Sequence, residues 1–107
     1  MVKKNNRGLI GRSVYRYLEF LQQKKIKISA VYLFGSVAKN ISHKDSDVDL
    51  AIILNKSRID QFKESAKLLS LTWGIDTRIE PHPFTKKEFT SDNPFVAEII
   101  RTGIRII

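Results

Sequence analysis

Two apolar runs of strand length, ISAVYLF at 28–34 and DVDLAIIL at 47–54, stand close together, and Gly35-Ser36 follows the first directly. Both are rich in β-branched and aromatic residues, which suit a pleated, half-buried surface and predict strands. Two buried strands this close commit the chain to a sheet, and the remaining segments must cover it.

From about Arg12 to Lys25, Val14, Tyr17, Leu18 and Leu21 recur at helical spacing, so an amphipathic helix is expected, with Tyr15, Tyr17 and Phe20 mostly in the core. The first ten residues are polar and expected to be frayed. A short polar segment with one or two helical turns should follow Gly35-Ser36. Ser57 is placed as the N-cap of a helix running to about Trp73, with Phe62, Ala66, Leu69 and Trp73 on one face and Gly74 as its stop. IDTRIEPHPF reads as a third strand, whose end and edge position Pro81 and Pro83 mark. TKKE at 85–88 has the capping-box pattern of a short helical piece. NPFVAEIIRTG carries an Asn cap, Pro in the first turn and Gly past the end, and IRII offers a last short strand. The order predicts a small α/β (α+β) fold, a mixed sheet flanked by helices, with residues 1–107 as a single domain.

Composition narrows the setting. The chain has no cysteine, which excludes disulfides and thiolate metal sites and fits a reducing cytoplasm. No apolar run reaches the length of a membrane span, and the start MVKKNNRGLIGR has no signal core. Of the net charge of +8, residues 1–27 supply most, with eight Lys/Arg against Glu19 alone. Such a patch attracts phosphate, nucleic acid or an acidic protein, or simply forms a solvated helix face ending in Lys24, Lys25 and Lys27.

The acids of the second strand carry the chemistry. Side chains at i and i+2 share a strand face, so Asp47 and Asp49 point the same way, about 6.6 Å apart along the strand. Val48, Leu50 and Ile52 then face the core. Two like charges so placed need a proton or a cation between them, and a hard divalent ion such as Mg²⁺ suits the pair. Otherwise the two acids mark a solvated strand entrance behind an Asp45-Ser46 turn. Gly35 permits close approach of a phosphate, Ser36 and the backbone amides can bind it, and Lys39 lies one turn on. For a third acid, Asp76 is preferred over Glu80, because Glu80 precedes Pro81 near the strand end and is expected to face outward. Arg78 would orient Asp76 or screen the cluster, and a second metal about 3.5–4 Å from the first would complete a two-metal site.

The stretch GSVAKNISHKDSDVD matches the G-S-x10-D-x-D signature and so resembles the nucleotidyltransferase superfamily that includes DNA polymerase beta, most closely its minimal, single-domain members. IDTRIEP is similar to the strand that bears that family's third aspartate. The resemblance implies a polymerase beta-like fold and transfer of a nucleoside monophosphate, AMP from ATP, to a hydroxyl. It implies Gly35 and Ser36 on the triphosphate, Asp47 and Asp49 on two Mg²⁺ (or Mn²⁺), and Asp76 activating the acceptor. Where relatives have Ala-Arg-Gly this chain has Ala38-Lys39-Asn40, which keeps charge without the bidentate fork. The resemblance also implies a separate helical partner, a HEPN-type toxin, and an antitoxin-like role. Phe95 and Ile107 are candidates for its docking surface, or core residues.

Two other readings compete. One is a weakly catalytic or non-catalytic module of the same fold that masks a protein partner. The other is a nucleic-acid-binding domain using the basic first helix, whose binding would fall steeply with salt and would not need Asp47 or Asp49. His43, in the polar loop, and His82, between two prolines, could each face phosphate or the acids, or be a surface and a structural residue respectively; their spacing matches no zinc motif.

Overall fold

The structure, a computed structural model, describes residues 6–39 and 47–107, with side chains from residue 11. The elements run α1 (Asn6–Gln23), β1 (Ile28–Phe34), α2 (Gly35–Ala38), β2 (Val48–Leu54), α3 (Gln61–Ser70), β3 (Ile79–Thr85), α4 (Pro94–Thr102) and β4 (Ile104–Arg105). The sheet order is β3-β2-β1-β4. β1 is antiparallel to both β2 and β4, while β2 and β3, joined across α3, are parallel. This is the mixed-sheet α+β fold read from the sequence.

Alternation along the central strands sorts the side chains into two layers. Val31, Leu33, Leu50, Ile52, Leu54 and Ile79 face α1 and α3, where Val14, Tyr17, Leu18, Leu21 and Leu68 complete the larger core. Tyr17 is fully buried, and its hydroxyl donates to the Leu68 carbonyl at 2.7 Å, which ties α1 to α3. Phe34, Ala51 and Ile53 turn to the other side, where Ile99 of α4 closes a smaller cluster. Gly103 ends α4 in tight contact: a Cβ there would stand 2.5 Å from the Ile99 carbonyl oxygen and 2.9 Å from that of Leu33.

Several boundaries differ from the sequence reading. Helix α1 starts at Asn6, not near Arg12, and Tyr15 on it is 58% exposed instead of core. Helix α3 is capped by Asp60, which accepts from the Lys63 N–H at 3.0 Å, and not by Ser57. Its Phe62–Ala66–Leu69–Trp73 face turns to solvent, and Leu68 is what it buries. β3 begins only at Ile79, and Pro81 and Pro83 lie inside it. It is an edge strand, as the prolines required. The TKKE segment forms the reciprocal capping bonds, Thr85 N–H to Glu88 Oε1 at 2.9 Å and Glu88 N–H to Thr85 Oγ1 at 3.2 Å, yet only a turn follows. No helix among the described residues is long and apolar enough to cross a membrane.

Candidate active site

Phe34, the last residue of β1, pairs with Asp49 of β2. The chain then turns at Gly35, which has φ +78°. A Cβ at Gly35 would stand 2.5 Å from Asp49 Oδ2. Left-handed backbone and close approach of a side chain therefore both require glycine here.

The parallel register sets Asp49 opposite Glu80 and Ala51 opposite His82. Pro81 and Pro83 take the buried face of β3, so Glu80, His82 and Phe84 share the face of Asp49. His82 Nε2 lies 3.2 Å from Asp49 Oδ1 and 3.9 Å from Glu80 Oε1. The imidazole packs on Phe34, ring centroids 5.1 Å apart, with Phe95 at 6.4 Å. One ligand atom from each of Asp49, Glu80 and His82 falls within 4.8 Å of the others, the one such group among the described residues.

The two carboxyls titrate apart. Burial works against the charge on Asp49, but hydrogen bonds with His82 and Glu80 and the charge of His82 outweigh it, and its pKa falls. Glu80 moves up. Its hydrogen bond with Asp49 contributes most, then burial, then the charges of Asp49 and Asp47, with His82 opposing. Bringing the two carboxyls together thus lowers one and raises the other. Asp47, exposed at the entrance to β2, is near enough for its charge to act on Glu80. Two carboxylates side by side, with a third near enough for its charge to act and an imidazole nitrogen in contact, fit a divalent cation of the Mg²⁺ or Mn²⁺ kind.

Asp76 is not in this group. It sits in the connection before β3, where Arg78 grips both of its oxygens, Nε to Oδ1 at 3.0 Å and Nη2 to Oδ2 at 2.8 Å. The acid beside Asp49 is Glu80, which faces the site and not outward. Ser36 stands in the single turn of α2, half-buried beside Gly35. Lys39 follows that turn, with its Nζ 3.9 Å from Glu98 on α4. His43 and the Asp45-Ser46 turn lie outside the described residues. The signal that could have found Glu80 and His82 is the Pro-x-Pro alternation itself: buried prolines at 81 and 83 force 80 and 82 onto the opposite face.

The profile described as "Polymerase beta, Nucleotidyltransferase" matches residues 17–107. The chain belongs to the polymerase beta-like nucleotidyltransferase family, and it is a nucleotidyltransferase. No curated protein matches it. Among solved structures, a toxin–antitoxin structure with AMP-PNP is similar at TM-score 0.55 and 18% identity, over 82% of this chain and 67% of that one. A Sulfolobus solfataricus protein described as a candidate nucleotidyltransferase is similar at TM-score 0.51 and 18% identity, over 99% of this chain and 88% of that one. At that identity the likeness speaks for the fold.

Proposed function

We propose that this nucleotidyltransferase moves AMP from ATP to a hydroxyl on a partner protein, and so acts in an antitoxin-like way on a helical, HEPN-like partner in the cytoplasm. The observation that carries the reading is the register of Asp49 with Glu80 beside the Gly35 turn. The similarity to a toxin–antitoxin structure with AMP-PNP supports both the nucleotide and the partner.

Asp47, Asp49 and Glu80 would hold Mg²⁺, or Mn²⁺, in a two-metal site. When bound, the metal neutralises phosphate charge and lowers the pKa of a coordinated hydroxyl. Gly35 and Ser36 would receive the triphosphate at the α2 turn, with Lys39 as a nearby cation. The acceptor oxygen attacks the α-phosphorus, a new P–O bond forms, and the bond to the β-phosphate bridging oxygen breaks to release pyrophosphate. Glu80 is the better-placed proton acceptor, because it stands opposite Asp49 in the site whereas Asp76 lies in the connection before β3. We assign it the role the sequence had given to Asp76, which its pairing with Arg78 holds elsewhere. His82 orients Asp49 from behind through the 3.2 Å contact.

The test is thermal stabilisation by a non-hydrolysable ATP analogue. Wild type should show a Mg²⁺-dependent rise in Tm that the Asp47→Asn/Asp49→Asn double variant lacks while remaining folded. An equal rise in the double variant would contradict the site.

A further inference from the structure

Helix α3 carries an apolar stripe on its solvent side. Phe62 is 82% exposed, Leu69 48% and Trp73, just past the helix end, 75%. Phe62, Ala66 and Leu69 recur at spacings of four and three, which aligns them on one face of the helix, and Trp73 follows in the turn after it. The stripe is not core turned the wrong way, because α3 is already anchored inward by Leu68 and its bond from Tyr17. Beyond Trp73 the surface continues as a groove towards α1, lined by Arg16, Glu19, Phe20 and Gln23. A contiguous apolar patch with a polar border marks an interaction surface, and aromatic anchors dominate such surfaces.

Charge says what covers it. Lys63 and Lys67 are exposed along one flank of the stripe, while the groove beside Trp73 holds both Arg16 and Glu19 and carries no net charge from the pair. Glu64 is turned away and paired with Lys56. A second copy would bring lysine to lysine, in a chain whose net charge is already +8. The stripe also lies over the sheet face opposite Asp49, Glu80 and His82, so an occupant leaves the candidate active site open.

We propose that the α3 stripe docks an amphipathic helix of an acidic protein, whose apolar residues cover Phe62, Leu69 and Trp73 and whose flanking carboxylates meet Lys63 and Lys67. This goes beyond the transfer reaction and does not depend on it.

Trp73 is the single tryptophan of the chain, so its emission reports directly on the patch. The probes are a tryptophan-free amphipathic helical peptide with a leucine stripe flanked by glutamates, and the same peptide with lysines in their place. The glutamate peptide should shift Trp73 emission to shorter wavelength, saturably, and added salt should weaken it. Phe62→Ser/Leu69→Ser should weaken binding by about tenfold or more. Lys63→Glu/Lys67→Glu should transfer the preference to the lysine peptide. All four positions are exposed, so folding is not at stake. No shift with either peptide, or equal shifts with both, overturns the proposal. So does a blue shift produced by raising protein concentration alone with a dimer in sedimentation, which would assign the face to a second copy. Neither nucleotide nor metal enters the assay, so its outcome is separate from that of the transfer test.

Discussion

At Gly35 two demands fall on one residue. The sequence reading gave glycine there to the approach of a phosphate. The structure adds a contact with Asp49, fourteen positions along the chain, that no local pattern contains, because it exists only once β1 and β2 are in register. Gly35→Ala should cost about 1–2 kcal/mol from the left-handed backbone alone. It should also push Asp49 aside, so denaturant unfolding should show the loss of stability and the nucleotide-dependent rise in Tm should disappear. Asp76 makes a contrasting case, a residue whose type and neighbourhood suggested catalysis and whose two oxygens are both bonded by Arg78. Hydrogen bonds from the Arg78 side chain lower its pKa to about 2 against partial burial, with help from the Arg78 amide and Ser13. A folded pKa below the unfolded value, about 3.9, means the stabilisation is present above about pH 4 and is lost as pH falls towards 2. At about 1–2 kcal/mol it should appear as a slope in stability between those pH values, which Asp76→Asn removes in urea titrations across the acid range.

The elements were legible where local chemistry decides them. Both central strands, the Asn93 cap of α4 and the Thr85–Glu88 capping box form as their residues require. Helix α3 was half legible. Its existence followed from apolar periodicity, but periodicity names a face without saying which neighbour covers it. Ser57 and Asp60 are both good caps; Ile59 packs against the core just ahead of Asp60 and sets the start there. The inward side of α3 is held by Leu68 and the buried Tyr17 hydroxyl, whose own pKa burial raises. Tyr17→Phe removes that bond and should lower stability by about 1 kcal/mol, without altering the nucleotide response, as paired denaturation and nucleotide titrations would show.

In the whole molecule, one sheet separates two tasks. The face under α1 and α3 holds most of the core, while the face under α4 leaves the ends of β2 and β3 open with their acids. The signature residues Gly35, Asp47 and Asp49 were readable because their spacing is local to one strand–turn–strand unit. The placement of Glu80 beside Asp49 was not, because it depends on the parallel register of two strands joined across α3, and a strand start read four residues too early, at Ile75 instead of Ile79, put Asp76 on the strand. The proposed transfer therefore turns on Glu80. The measurement that tests it most directly compares Glu80→Gln with Asp76→Asn, following transfer of label from α-labelled ATP to protein, with circular dichroism and denaturant unfolding as the check that each variant is folded. Glu80→Gln should lose transfer by a factor of about 100 or more, and Asp76→Asn should retain it at reduced stability. Transfer retained by Glu80→Gln and lost by Asp76→Asn would contradict the account.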